Sequence, residues 1–212
     1  MQDKRFAVAL VVLGAGLAAL SIGILWHDHG SSPQPPPQTH SSRDAPSSIK
    51  PTAQAIADYT VPAASPKYIT IPRIGVTNTR IITLGLTKSS QIAAPNNIHD
   101  TGWYNGSAKP GQEGAMFIYG HVSSWTANGA FHDLKKLKPG DRVAITRGDN
   151  TVYSYRVVST EVYPYTQVDM NKVLSPIDPK TPGLNLMTCT GKIIKGTSEF
   201  SERLVVFATL QT

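Results

Sequence analysis

The sequence predicts a mainly β domain, a sandwich or small barrel, that follows an apolar N-terminal segment and a polar spacer. Seven or eight short stretches that are apolar or alternate with polar residues are separated by turn-forming residues at regular spacing. Helical periodicity is scarce in the same region. The roughly 150 residues from Tyr59 onward are enough for one domain with its own core.

The first element is a predicted membrane anchor. Lys4 and Arg5 precede 21 uncharged residues, 6–26, which as a helix would span about 31 Å and cross a hydrocarbon core of about 30 Å. The basic residues orient the N-terminus toward the cytoplasm. A cleaved signal peptide is the alternative, but its apolar region is usually about 7–15 residues long. Residues 1–29 are therefore predicted as a cytoplasmic stub and a single transmembrane helix, which leaves the following domain extracellular.

A spacer is predicted over residues 30–58. This stretch is rich in Ser, Pro, Gln and Thr and has no apolar periodicity, so it cannot bury enough surface to offset its ordering entropy. We expect a disordered tether, with a proline-rich docking ligand as the alternative. The domain, residues 59–212, follows it.

The formal charge of +6 and the pI near 9.4 suit a protein beside an anionic membrane or wall polymer. Nucleic acid is the other partner that a basic balance suggests. The sequence contains no zinc finger, helix-turn-helix or aromatic-rich basic strand, so nucleic-acid binding is not predicted.

Seven segments are predicted as strands because β-branched and apolar residues dominate them. Gly148, Asp149 and Asn150 form a hairpin turn between two of these segments. Short helices are expected at 131–137 and 169–174. The predicted strands are 68–71, 74–83, 114–120, 141–147, 151–164, 184–189 and 203–211.

Cys189 is the only cysteine and ends one of these strands. A lone thiol forms no internal disulfide and cannot build a four-ligand metal site by itself. It is therefore either a reactive nucleophile or a small buried apolar group. An unpaired thiol outside the cytoplasm risks oxidation, which favours the nucleophile.

A nucleophilic thiol needs an acid–base partner, and the histidines are the candidates. His121 directly follows a buried strand, and Gly120 before it would allow a sharp backbone turn that projects the imidazole into a cleft. His99 and His132 lie in loop or helical segments and remain alternatives. The other three histidines lie in the anchor flank or spacer.

Arg203 is the third candidate because it opens the last strand. If that strand pairs antiparallel with 184–189, Cys189 and Arg203 become neighbours on strands about 4.8 Å apart. A guanidinium beside the thiol could donate to a carbonyl oxygen that becomes an oxyanion. The alternative is that Arg203 caps a surface edge or pairs with Glu199 or Glu202.

The order His121, Cys189, Arg203 resembles the sortases, membrane-anchored cysteine transpeptidases of Gram-positive surfaces. Thr188 and Cys189 match the end of the family's Thr-Leu-x-Thr-Cys signature, and Asn185 stands where that signature has its first threonine. The contexts of the tryptophan–tyrosine and glycine–histidine pairs are most similar to actinobacterial sortases of class D to F. Further stretches that resemble the family are 71–76, 101–104, 109–111, 119–121, 131–134 and 137–143.

The resemblance implies a closed sortase-type β-barrel of seven to eight strands with short helices. It implies that Cys189 attacks the Thr–Gly bond of a C-terminal sorting signal such as Leu-Pro-x-Thr-Gly, that His121 protonates the leaving amine, and that Arg203 holds the oxyanion. Residues 162–183 would form the wall of the substrate groove, and Thr188 would line it. The thioacyl enzyme would pass to an amine of a peptidoglycan precursor or a pilin.

No cofactor is implied, and no calcium site is predicted because the groove segment holds no tight carboxylate cluster. Two other functions remain open. A cell-surface cysteine hydrolase or peptidase would use the same residues with water as the acceptor. A non-enzymatic surface module would use Cys189 only for packing.

Overall fold

The structure is a computed structural model that describes residues 45–211. The predicted anchor and the predicted spacer up to residue 44 lie outside the described residues. Within residues 45–211, no helix is long and apolar enough to cross a bilayer.

Eight strands close into one barrel in the order β1-β2-β3-β4-β7-β8-β6-β5, and β5 pairs with β1. The β2/β3 and β4/β7 pairs are parallel, and the other pairs are antiparallel. The predicted mainly β barrel is thus confirmed. The strands are β1 (Pro66–Ile71), β2 (Val76–Leu84), β3 (Thr101–Tyr104), β4 (Ala115–Gly120), β5 (Arg142–Arg147), β6 (Val152–Pro164), β7 (Gly183–Ile193) and β8 (Phe200–Leu210).

The described helices are short. Helix α1 spans Ala53–Ala57, and α2 spans Met170–Val173, within the predicted 169–174. The Asp169 side chain caps the N-terminus of α2. The helix predicted at 131–137 is only a 3-10 turn at Leu134–Lys136. Leu137 is already extended there. Phe131, Leu134 and Leu137 are three positions apart and all buried, which suits the three residues per turn of a 3-10 helix. The other 3-10 turns are Pro72–Ile74 and Tyr165–Gln167.

Strands β4, β7 and β8 are apolar on both faces. Their inward residues, such as Ile118, Leu186 and Val206, belong to the barrel core. Their alternate residues, such as Phe117 and Phe207, belong to a second cluster, which we call the outer cluster. The segment between β6 and β7 covers this cluster. Two-sided burial explains why these strands read as continuous apolar runs.

Two features of the sheet differ from the sequence prediction. Strand β3 was not predicted, because it has four residues and Gly102 interrupts its apolar pattern. The connection between the predicted strands 184–189 and 203–211 is shorter than expected, because β7 continues to Ile193 and β8 begins at Phe200. Gly191, at a φ of 83°, lies where the ladder register shifts.

The end of the predicted spacer contacts the barrel. Ser47 forms a parallel bridge with Asn97, and the Tyr68 hydroxyl donates to the carbonyl of Ile56 in α1. Asn97 Nδ2 donates to the carbonyl of Ile49 at 2.8 Å. Polar contacts to backbone groups therefore order residues that hydrophobicity alone assigns to a tether.

Gly120 ends β4, and its small size has a different reason from the one predicted. Its φ is not positive, so no sharp turn requires it. A Cβ at this position would lie 2.5 Å from the ring of Phe131, which is fully buried in the barrel core. The glycine is needed because this ring packs directly on the backbone before His121.

Gly120→Ala should therefore lower the free energy of unfolding by about 1–3 kcal/mol, as overpacking in a core usually does. Gly85→Ala is the matched control, because a Cβ there meets nothing within 4 Å and its effect should stay within about 0.5 kcal/mol. Denaturant unfolding of both variants measures this difference. Equal stabilities would contradict the packing account.

Candidate active site

The β7/β8 ladder places Cys189 beside Arg203. The two residues are direct partners in the antiparallel register, and side chains of such partners lie on the same face of the sheet. Both are buried, with exposed fractions of 6 % for Cys189 and 2 % for Arg203. The adjacency inferred from antiparallel pairing is present in the structure.

The parallel β4/β7 pair brings His121 to the same place. Tyr119 pairs with Met187, so the residue two positions after each, His121 and Cys189, extends the same register. Cys189 and His121 line one cavity, which has a volume of about 270 Å³ and which we call the catalytic cavity. Residues 45, 46 and 48, from the end of the predicted spacer, also line it.

The backbone around His121 is held tightly. Phe131 N donates to the His121 carbonyl at 3.0 Å, and a Cβ on Gly129 would lie 2.2 Å from the same oxygen. The imidazole Nε2 lies 2.8 Å from the carbonyl oxygen of Pro95. A carbonyl only accepts, so Nε2 carries the hydrogen and Nδ1 is the atom that exchanges a proton in the neutral ring.

Cys189 packs in the outer cluster, and its sulfur lies 3.3 Å from the Tyr119 hydroxyl. Burial raises the pKa of the Cys189 thiol, while the positive charge of Arg203 and the Tyr119 hydrogen bond act to lower it, and the Glu199 carboxylate adds to the rise. Because burial dominates, the thiol is protonated at neutral pH in this conformation. Burial in the outer cluster fits the packing interpretation of Cys189. The neighbouring Arg203 and His121 fit the nucleophile interpretation.

Arg203 is fixed by polar contacts on one side. Its Nη1 donates to the carbonyls of Phe200 and Glu202 at 2.9 and 3.1 Å, and its Nη2 donates to Glu199 Oε2 at 2.9 Å. Its guanidinium also stacks 5.7 Å from the ring centre of Tyr165. The pairing with Glu199 is the alternative that the sequence left open. These three hydrogen bonds fix the orientation of the guanidinium beside Cys189.

The remaining candidates from the sequence, Thr188, His99 and His132, lie outside the lining of the catalytic cavity. Thr188 is buried, and its hydroxyl donates to the Gly120 carbonyl at 2.7 Å. It lines a smaller cavity of about 100 Å³ together with Cys189 and His132. His132 Nδ1 contacts the Val122 carbonyl, whereas His99 Nε2 contacts the Ser48 carbonyl. Of the three histidines in the described chain, His121 is the one that shares the catalytic cavity with Cys189.

Asn185, the departure from the signature, has a defined structural contact. It is fully buried, and its Nδ2 donates to the carbonyls of Val173 and Ser175 at 2.7 and 2.8 Å. These bonds tie the end of α2 to β7. The asparagine therefore anchors the segment that covers the outer cluster.

Sequence reasoning missed two residues of the site. Tyr119 lies two residues before His121, so both share a face of β4, and their rings meet edge to face at 5.8 Å. This period of two could have identified Tyr119. Glu199 was weighed only as an ion-pair partner, although it also lines the catalytic cavity. That role depends on how the β7–β8 turn folds, which the sequence does not indicate.

Comparison with known proteins gives a family match. The Sortase domain family model matches residues 69–211. No curated protein matches the chain.

Within residues 45–211, no group of three or more His, Cys, Asp or Glu side chains could hold a metal ion.

Solved structures with the same fold include several sortases. Sortase A from Corynebacterium diphtheriae is 27 % identical over 71 % of this chain and 61 % of that chain, with a TM-score of 0.53. A sortase D5 from Clostridium perfringens is 23 % identical over 75 % of this chain and 86 % of that chain, with a TM-score of 0.51. Sortase C2 of Group B Streptococcus Pilus Island 1 is 23 % identical over 78 % of this chain and 82 % of that chain, with a TM-score of 0.53. These structures carry class A, C and D names, so they assign no subclass.

Tyr119→Phe should slow alkylation of Cys189 by iodoacetamide at neutral pH by about three- to tenfold, because the thiolate loses a hydrogen bond to a charged acceptor. The alkylation profile should move to higher pH, since losing a donor to the thiolate raises the thiol pKa further. Tyr104→Phe is the control, because Tyr104 packs near the outer cluster and its hydroxyl bonds nothing within the described chain. Identical profiles for wild type and Tyr119→Phe would contradict this role.

Proposed function

The chain belongs to the sortase family, and we propose that it is a cysteine transpeptidase whose acyl intermediate forms on Cys189. One observation carries this proposal: Cys189 and Arg203 are register partners in the β7/β8 ladder, while His121 lines the same cavity as the sulfur. Nucleophile, proton carrier and oxyanion donor therefore meet at one point on three neighbouring strands.

The first half-reaction joins the donor to the enzyme. The Cys189 sulfur attacks the scissile carbonyl carbon, and the thiol proton passes to Nδ1 of His121. The Arg203 guanidinium donates hydrogen bonds to the developing oxyanion. As the C–N bond breaks, His121 returns its proton to the leaving amine, and a thioester remains on Cys189.

The donor that we propose is a C-terminal sorting signal of the Leu-Pro-x-Thr-Gly type, cleaved between Thr and Gly. Family membership supports it. The catalytic cavity also supports it, because Val122, Ile193 and Phe200 give it an apolar surface next to Cys189. An apolar, proline-containing peptide is the kind of ligand that such a surface binds.

We propose an amine of a peptidoglycan precursor or a pilin as the acceptor, and a location at the outer face of the cell membrane. The location rests on the uncharged segment 6–26 and the basic residues before it. The basic charge of the chain is consistent with this address.

Incubation of the protein with a Leu-Pro-x-Thr-Gly peptide and triglycine should yield the ligated peptide, detected by mass spectrometry, and Cys189→Ala should yield none. Product formed only with water would instead identify a cysteine hydrolase. No cleavage of any variant sorting peptide, with slow alkylation of Cys189 that depends on unfolding, would identify a packing role for the thiol.

Arg203→Ala should lower kcat/KM by about 10²–10³-fold, or about 2.7–4 kcal/mol, which is the usual loss of one oxyanion donor. Because the change leaves the buried Glu199 carboxylate without its partner, circular dichroism must show that the variant is folded. A folded Arg203→Ala variant that is less than threefold slower would exclude the oxyanion role.

His121→Ala should lower the same constant by about 10²–10⁴-fold, the usual contribution of a general acid–base group. His132→Ala is the matched control, since His132 lies on the smaller cavity and bonds a backbone carbonyl. It should retain activity within about threefold. A dead His132→Ala variant with an active His121→Ala variant would reassign the proton carrier.

A further inference from the structure

Glu199 is a buried carboxylate in the wall of the catalytic cavity. Its side chain lies on the turn between β7 and β8, is 10 % exposed, and accepts from Arg203 through Oε2. Oε1 is shielded from solvent and has no hydrogen-bond partner within residues 45–211. A buried carboxylate oxygen without a donor is costly, so its presence needs an explanation.

The ion pair with Arg203 accounts for only one of the two carboxylate oxygens. The buried guanidinium needs a counter-charge, and Oε2 supplies it at 2.9 Å. The carboxylate also acts against the nucleophile, because it helps to raise the pKa of the Cys189 thiol. The ion pair therefore leaves the position of Oε1 without an explanation.

The residues that line the catalytic cavity indicate which kind of ligand the Glu199 charge would bind. Among the described residues that line it, the ionisable ones are His121, Cys189 and Glu199. Several hydroxyls complete the polar part of the wall, and Trp125, which is 83 % exposed, lies on the rim. A cavity with one fixed negative charge, hydroxyl groups and an indole face favours a cationic ligand.

We propose that Glu199 selects a positively charged amine as the acyl acceptor by binding its ammonium group through Oε1 in the catalytic cavity. This inference rests on the proposed transpeptidase function and adds the residue that recognises the acceptor. An ammonium group has three N–H donors and no acceptor, so it supplies the hydrogen bond that Oε1 lacks. Because Oε1 is shielded from solvent at rest, binding requires the Glu199 side chain to turn this oxygen toward the cavity. Binding there places the amine in the cavity that Cys189 and His121 share.

In the second half-reaction, the bound ammonium releases one proton to water, and the neutral amine attacks the thioester carbonyl. A new C–N bond forms and the C–S bond breaks, with the electron pair leaving on the sulfur of Cys189. The second amine proton passes to Nδ1 of His121, which returns it to the thiolate.

The test compares two acceptors on the thioacyl enzyme. The amine of triglycine, with a pKa of about 7.7–8.0, is mostly an ammonium at pH 7, whereas hydroxylamine is mostly uncharged. Glu199→Gln should raise the KM for triglycine by about ten- to a hundredfold, the usual effect of losing a charged hydrogen bond. The KM for hydroxylamine should change less than about threefold, whereas any change in the rate of thioester formation, which depends on Arg203, affects both acceptors alike.

Two further variants complete the design. Ser198→Ala changes a neutral neighbour in the same cavity wall and should leave both acceptors unaffected. Glu199→Asp retains the charge and should keep part of the preference for triglycine over hydroxylamine. If Glu199→Gln does not fold, the Glu199→Asp comparison decides the question, and an unchanged preference together with slower acylation would then overturn the inference.

The outcomes separate this inference from the proposed function. Equal losses with both acceptors, or a slower acylation step alone, would show that Glu199 only positions Arg203 and would overturn acceptor recognition. Thioester formation with an unchanged triglycine KM would also overturn it while leaving the transpeptidase intact. Failure of the wild-type protein to form a thioester would overturn both.

Discussion

The site depends on the hydrogen-bonded ladder of β4, β7 and β8, because one register in each pair positions all three reactive groups. Cys189 faces Arg203 across β7/β8, and the parallel β4/β7 pair brings His121 level with the sulfur. A slip of one residue would turn the side chains of a strand to its other face. Burial on both faces of these strands prevents such a slip, since it would exchange the barrel core with the outer cluster.

Near the sulfur, the charged groups are paired and the thiol itself is neutral. The Arg203 cation is balanced by Glu199 at 2.9 Å, and burial keeps the thiol neutral. In this arrangement Nε2 of His121 carries the hydrogen, three hydrogen bonds fix the Arg203 guanidinium, and the sulfur lies at the cavity wall. A buried, protonated thiol also resists oxidation, because the thiolate is the form that reacts with oxidants.

Much of the fold and of the candidate site could be predicted, because the signals for them are local in the sequence. Alternating and apolar runs identified most strands, and antiparallel pairing of the last two predicted the contact of Cys189 with Arg203. Strand β3 was missed because its four residues lack an apolar pattern. The reason for Gly120 was wrong because it depends on Phe131, eleven positions away in the chain and brought close only by folding. The contact of Glu199 with the cavity depends likewise on the path of a turn.

The central claim is that the sulfur of Cys189 becomes acylated, and intact-mass spectrometry of the protein mixed with a sorting peptide tests it most directly. The account predicts a mass increase equal to the peptide portion up to threonine, located on the fragment that contains Cys189 and removed by hydroxylamine. Turnover of the peptide without any adduct on that fragment under rapid quenching, or an adduct at another residue, would contradict it.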